Sequence, residues 1–343
     1  MTTDISQLVQ NHPRDFRSQR YVYPVISRRS RGVSIGINLS PTGLCNFRCI
    51  YCQVDGEIRL SNATGDNQAN HLNHTAVENS NATAWSKFSL SDYLLPEYAP
   101  DTAKQCHVRS NGPDDQSITI DLDVLEDELR QTLTLAVTGE LFKIDAFQKT
   151  PPQFRRLNDI AFSGNGEPTL SPQFADAVQV VLRVRDELGA NTVKPILITN
   201  ATVMQRPSVA EALELIVECG GEVWAKLDAG TAAYYEQVSR SRVPFATIVD
   251  NIGQTAKRHQ IIIQTLFMKI HDEPTPETEL QAYIDRLNEI IRQGGQIKLV
   301  QLYTAIRDTA EPWVSPLTSQ QLDALANRVR NETNLDVNTY HSS

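Results

Sequence analysis

The sequence predicts an α/β fold in which a parallel sheet, wrapped by helices, closes into a β/α barrel or partial barrel. Three observations carry this expectation. From residue 158 onward, short apolar segments alternate regularly with helix-period segments, and with one earlier strand the strand–helix units number six. The strand segments are apolar on both faces, as strands covered by helices on both sides must be. Glycines stand at the ends of the helical segments, where they stop a helix.

The first strand is SIGINLS, residues 34–40, in which Ile35, Ile37 and Leu39 alternate with small or polar residues. It runs straight into a cysteine-rich loop. From about Arg59 to Asp115 the chain is rich in Asn, Thr, Ala and Ser and poor in large apolar residues. Such a stretch buries too little to offset its ordering entropy and reads as a disordered insertion. Order resumes near Asp121, where Leu122, Leu125, Leu129 and Leu133 mark an amphipathic helix. A strand follows at 159–164, then a helix at 172–188 closed by Gly189. Strand 194–200 leads to helix 207–219, stopped by Gly220 and Gly221. Strand 222–229 leads to helix 245–259, and strand 261–268 to helix 276–293, stopped by Gly294 and Gly295. The sixth strand is 297–304, and the last helix, 317–330, has Thr318 or Ser319 as its cap. The expected organisation is a basic N-terminal extension over 1–33, a barrel over 34–58 and 116–330, a disordered insertion over 59–115 and a C-terminal tail over 331–343.

With 343 residues and 40% apolar content, the chain can bury one large core or two ordinary ones. No apolar run approaches the ~18 residues of a membrane span. The N-terminus lacks the apolar core of a secretory signal. Five cysteines, three of them too close together for a disulfide framework, point to a reducing cytosol, so a cytoplasmic protein with no membrane partner is expected. A net charge of −9 argues against a general nucleic-acid binder. Residues 14–31 nevertheless hold six arginines (Arg14, Arg17, Arg20, Arg28, Arg29, Arg31) against one acid, Asp15. Such a segment suits an anionic partner, a solvated arm, or arginines paired with acidic neighbours.

Cys45, Cys49 and Cys52 fall within eight residues, spaced Cys-x3-Cys-x2-Cys, and only Cys106 and Cys219 lie elsewhere. Three thiolates on one short loop grip a soft metal or cluster from one side; packing alone does not bunch cysteines in this way. Structural zinc usually takes four protein ligands from paired knuckles, and the next candidates, His71 and His74, lie in the Asn-rich stretch. An iron–sulfur cluster held by three thiolates leaves one iron open to a substrate or cofactor. In a parallel α/β sheet, ligands gather at the C-terminal ends of the strands. The cysteine loop, GNGEPT, TNAT, LDAG, FMK and YTAIR would all open on that one mouth.

The three cysteines, with Tyr51 just before the last, resemble the signature of the radical S-adenosylmethionine (SAM) superfamily. The resemblance implies a partial (β/α)6 radical SAM barrel and a 4Fe–4S cluster held by Cys45, Cys49 and Cys52, with SAM on the fourth iron. One electron from the cluster would cleave SAM to methionine and a 5′-deoxyadenosyl radical that abstracts hydrogen from a substrate. It also implies a reducing partner such as flavodoxin or ferredoxin. SGNGEPTL, residues 163–170, resembles the family's Gly-Gly-Glu-Pro segment, with Asn165 in place of the first glycine. By that likeness Gly166, Glu167 and Pro168 would meet the SAM amino group: the glycine admits backbone carbonyls close to an ammonium, and Glu167 offers a carboxylate or fixes the loop. Thr199 and Asn200 could meet the SAM ribose or carboxylate. Lys226 could bind the SAM carboxylate or a substrate, or neutralise Asp228 two residues along the same strand face. Gln264 is a further polar residue in a buried strand.

In motif order the chain is most similar to the wyosine-type tRNA-modifying synthases of that superfamily, over roughly residues 30–305 without the insertion. Those enzymes carry extra cysteines before the signature for a second cluster; no cysteine precedes Cys45 here. The expected function is therefore radical SAM chemistry on an unidentified substrate, RNA being one candidate and a wyosine-like tRNA modification one alternative. The alternative of another class is a non-catalytic iron–sulfur or zinc protein, in which a SAM-ammonium loop would have no role.

Overall fold

The structure is a computed structural model that describes residues 16–27, 29–41, 43–54 and 119–341. The insertion expected at 59–115 lies outside the described residues, as does Cys106. In chain order the strands are β1 (Val22–Ser27), β2 (Gly32–Ile37), β3 (Leu157–Phe162), β4 (Lys194–Thr199), β5 (Glu222–Lys226), β6 (Ile261–Leu266), β7 (Met268–Ile270), β8 (Glu273–Pro274), β9 (Ile297–Tyr303), β10 (Val314–Pro316) and β11 (Val337–Tyr340). The helices are α1 (Leu122–Val137), α2 (Asp145–Gln148), α3 (Phe174–Glu187), α4 (Pro207–Glu218), α5 (Ala232–Ser239), α6 (Phe245–Arg258), α7 (Glu277–Arg292) and α8 (Ser319–Thr333).

Eight strands form one sheet in the order β1-β2-β3-β4-β5-β6-β9-β11. β1 runs antiparallel to β2, and every other neighbouring pair in it is parallel. Ile35 stands opposite Ile160, Leu197 opposite Val223, and Ala225 opposite Ile263, so the apolar positions meet in register. One face of each strand is buried under the helices, which pack in the pairs α1 on α3, α3 on α4, α6 on α7 and α7 on α8. The other face turns inward. Alternate residues of β1 to β6, from Tyr23 and Ser34 to Lys226 and Gln264, line one cavity, as a period of two on a curled sheet requires. The result is an α/β half-barrel.

The curl brings distant strands together. Arg29, in the turn between β1 and β2, reaches the aromatic rings of Trp224 on β5 and Tyr303 on β9. The sheet's first strand is held from outside by α1: Glu128 accepts the backbone amides of Arg20 (2.6 Å), Tyr21 (2.8 Å) and Val22 (3.2 Å). At the opposite end of β5 from Lys226, Glu222 joins Lys194 on β4 (2.8 Å) to Lys298 on β9 (2.9 Å).

The sheet is larger than the six parallel strands expected. β11, inside the segment read as a C-terminal tail, adds a seventh parallel strand, and β1, inside the segment read as an N-terminal extension, adds an antiparallel edge. β11 is a four-residue strand with only Val337 buried, so it lacks the doubly apolar signature of the central strands. β1 is as long and as buried as they are, but it carries Pro24 and lies in an arginine-rich segment. α5 lies within a stretch where no helix was expected; its eight residues are too few for a strong helical period. Thr318 is the cap of α8, with Gln321 completing a capping box.

Candidate functional site

The cysteine loop leaves the end of β2 without regular secondary structure, so its backbone groups need partners elsewhere. They find them on α5, on the loop after β3 and near β10. Arg48 N donates to Ser239 O (2.8 Å), Ile50 N to Val238 O (2.9 Å), and Glu311 N to Ile50 O (3.1 Å). Ser241 Oγ holds the Asn46 carbonyl at 3.1 Å. Phe47 stacks edge-on against Tyr235. The loop is thus tied down on three sides, and Cys45, Cys49 and Cys52 line one cavity of about 320 Å³.

The GNGEPT loop, after β3, docks directly on it. A Cβ on Gly166 would lie 1.9 Å from the Leu44 carbonyl oxygen, and Glu167 N donates to that same oxygen at 3.1 Å. The lack of a side chain at Gly166 therefore serves the close approach of two backbone loops. Glu167 is buried and fully engaged. Its carboxylate accepts Thr169 N (3.2 Å), Thr169 Oγ1 (2.6 Å), Thr199 Oγ1 (2.7 Å) and Asn200 N (2.6 Å). Burial pushes its carboxyl up, against the pull of these donors. Of the two roles weighed for Glu167, fixing the loop is the one its hydrogen bonds perform. Pro168 opens the short turn that carries Thr169.

After β4 the chain bends sharply. Ala201 has φ 65°, a left-handed conformation uncommon for a residue with a side chain. Asn251 on α6 holds the bend, donating to the carbonyls of Ala201 (2.8 Å) and Thr202 (3.0 Å). The bend aims Asn200 at the cysteine loop, where its Nδ2 donates to Asn46 Oδ1 at 2.8 Å, and Asn46 in turn donates to Thr202 Oγ1 at 3.0 Å.

The opposite wall is ionic. Lys226 Nζ lies 3.1 Å from Asp228 and donates to Tyr303 Oη at 2.6 Å. Its ammonium also sits over the rings of Tyr51 and Tyr303. Burial pushes the ammonium down, but Asp228 and Tyr303 outweigh it and hold Lys226 above its usual value. Asp228 also accepts the Tyr51 hydroxyl and Leu266 N (2.8 Å). Lys226 thus neutralises Asp228. Gln264 donates to Gln301 on β9 at 3.1 Å.

The thiols stand in an environment that disfavours lone thiolates. Burial, then the neighbouring Cys49, pushes Cys45 up; burial, then Asp228, pushes Cys49 up to about 12. Buried thiols whose charged forms repel one another, as at Cys45 and Cys49, are suited to sharing a cationic centre, which removes that repulsion. Among the described residues no three His, Cys, Asp or Glu side chains gather as ligands of a single metal ion. Three cysteines on the wall of one cavity are the donor type that an iron–sulfur cluster takes, and in that respect the residues fit one.

Cys45, Cys49, Cys52, Tyr51, Gly166, Glu167, Thr199, Asn200 and Lys226 share the cavity wall; Pro168 and Asp228 stand behind it. Sequence reasoning missed Arg29, Asp159 and Tyr303, which line the same cavity. Asp159 had a signal, a charged residue inside an apolar strand. Arg29 had none beyond its place in a basic segment.

No family model and no curated protein matches the sequence. Solved structures with similar folds include a radical SAM methyltransferase from Sphaerobacter thermophilus (TM-score 0.44, 12% identity, 63% of this chain and 57% of that one). They include TYW1 with a lysine–pyruvate adduct bound (TM-score 0.45, 12% identity, 95% and 80%). They also include Streptococcus suis SuiB bound to S-adenosylmethionine (TM-score 0.43, 12% identity, 64% and 42%). The chain spans about half the length of the methyltransferase and of SuiB.

Proposed function

We propose that this chain is a radical SAM enzyme acting on an unidentified substrate. One observation carries the reading: the three cysteines, the Gly166–Glu167 loop and the Thr199–Asn200 bend, far apart in sequence, line a single cavity inside a half-barrel. Cys45, Cys49 and Cys52 would hold a 4Fe–4S cluster, and SAM would bind beside it. When bound, the cluster supplies the electron for reductive cleavage of SAM.

The chain's own residues hold that site. Glu167 locks the loop after β3 to the end of β4, and Asn200 braces the cysteine loop through Asn46. The Lys226–Asp228 pair fixes the Tyr51 hydroxyl beside Cys49. Apolar residues of the inner face, Ile196, Ile198 and Leu266 among them, limit water around a reactive intermediate. A flavodoxin- or ferredoxin-type protein is the proposed electron donor.

Anaerobic reconstitution with iron and sulfide, followed by SAM and a strong reductant, tests the reading. The expected product is 5′-deoxyadenosine. A chain that takes up iron and sulfide but yields none would instead be a non-catalytic iron–sulfur protein, and one purified with zinc alone a zinc protein.

A further inference from the structure

Arg29 stands in the turn that begins β2, whereas the cysteine loop leaves the end of that strand, so the two approach the cavity from opposite ends of β2. The guanidinium carbon lies 5.1 Å from the centre of the Tyr303 ring and 5.9 Å from that of Trp224. Contact with aromatic rings does not use up the N–H donors of a guanidinium as hydrogen bonds to acceptors do. Yet Nη1 is buried with no hydrogen-bond partner among the described residues. Asp159, on the same wall, takes a hydrogen bond from Ser34 Oγ and feels the Arg29 charge, which draws its carboxyl down, with no hydrogen bond or close ion pair between the two among the described residues. Of the other cations that line the cavity, Lys226 is committed to Asp228 and Tyr303, and Arg307 is engaged in interactions of its own. A buried donor without a partner, on a residue that lines a cavity, marks a place where a polar group of a ligand belongs.

We propose that Arg29 binds an oxyanion, the carboxylate or phosphate of a small substrate, at the end of the cavity away from the cysteines. The guanidinium fork matches two oxygens of either group. Arg29 lines the same cavity as the three cysteines, so a small molecule held there stands in the space the site encloses. The inference names the substrate chemistry of the site and rests on the radical SAM reading for its catalytic consequence; the binding itself does not.

The test titrates the purified full chain at low ionic strength with glycolate, inorganic phosphate and neutral glycolamide, by calorimetry. In parallel, Arg29 modification by phenylglyoxal is followed by peptide mass spectrometry. Glycolate or phosphate should bind saturably and glycolamide should not. The bound anion should slow modification of Arg29 by about five-fold or more, while the exposed Arg183 reacts as before. Binding of glycolate alone assigns a carboxylate substrate, and of phosphate alone a phosphorylated one. Arg29→Met should weaken the anion by about ten-fold or more, with Arg29→Lys between. The modification assay uses the unaltered chain, so it decides the matter even if Arg29→Met does not fold. No saturable binding of either anion, equal binding of glycolamide, or unprotected Arg29 overturns the proposal. None of these readings needs iron or SAM. Anion binding without SAM cleavage would sink only the radical reading, and SAM cleavage without anion binding only this one.

Discussion

Gly166 and Leu44 meet at a distance that only glycine permits: a Cβ on Gly166 would sit 1.9 Å from the Leu44 carbonyl oxygen. The contact joins the loop after β3 to the cysteine loop. Leu44 directly precedes Cys45, so a shift at the contact passes straight to the cavity wall. Gly166→Ala must therefore push the loops apart. A loss of about 2 kcal/mol or more in thermal or denaturant stability is expected, together with a lower iron content after anaerobic reconstitution. Full iron content with weaker SAM binding alone would show that Gly166 serves the ligand and not the docking of the loops.

Glu167 gives a second prediction. Its carboxylate accepts four donors, from Thr169, Thr199 and Asn200. Glu167→Gln keeps the size but turns one acceptor into a donor, which must face either the Asn200 amide or the threonine hydroxyls. The expected cost is about 1–3 kcal/mol by urea unfolding, the range for stranding a buried polar group. A neutral effect would mean that the carboxylate is not the brace its hydrogen bonds describe.

The same two residues mark how far the sequence reaches. The cysteine spacing is local, and GNGEPT is a continuous stretch, so both could be read directly. The strands after residue 158 could be read because each is apolar on both faces. What Glu167 does depends on Thr199 and Asn200, more than thirty residues away, and only the parallel pairing of β3 with β4 brings them to it. Arg29 was hidden for the same reason. It sits among arginines in a segment without a clear period, and its partners Trp224 and Tyr303 come from strands on the far side of the sheet. β11 was hidden because it is short and has one buried residue, and β1 because Pro24 and the surrounding arginines obscure its apolar run.

The ionic wall supplies a third prediction. Lys226 and Asp228 are buried together, with Tyr51 and Tyr303 bound to them. Lys226→Met leaves Asp228 as an unbalanced buried charge, and Asp228→Asn does the same to Lys226. Each should cost about 3–5 kcal/mol, and the double variant clearly less than the sum. Additive losses in a double-mutant cycle by denaturant unfolding would rule out the pair as a coupled unit.

A fourth prediction concerns the metal. Cys49→Ala should abolish both the absorbance of a reconstituted cluster and the formation of 5′-deoxyadenosine. Cys219→Ala should leave both unchanged, since Cys219 caps α4 on the outside of the sheet and does not line the cavity. Retention of the cluster in Cys49→Ala would exclude the three-cysteine site.

Asp159 makes the fold sensitive to pH. Burial raises its carboxyl from 3.8 to about 6, against the hydrogen bond from Ser34. At a pH below 3.8 the group is protonated folded or unfolded and contributes nothing. As pH rises, the unfolded chain releases the proton first, so stability falls until the folded group also ionises near pH 6. The penalty is on the order of 2–3 kcal/mol at neutral pH. Glu222 acts in the opposite sense and in a lower window. Lys194 and Lys298 hold its carboxyl at about 2 in spite of burial, so its contribution is complete above 4.5 and fades as pH falls toward 2. Between pH 4.5 and 6 the Asp159 effect therefore stands clear of that of Glu222. Asp159→Asn should stabilise the chain at pH 7, flatten that slope in thermal melts and leave the acid limb in place. Parallel melting curves for the two chains across this window would show that Asp159 is not titrating there.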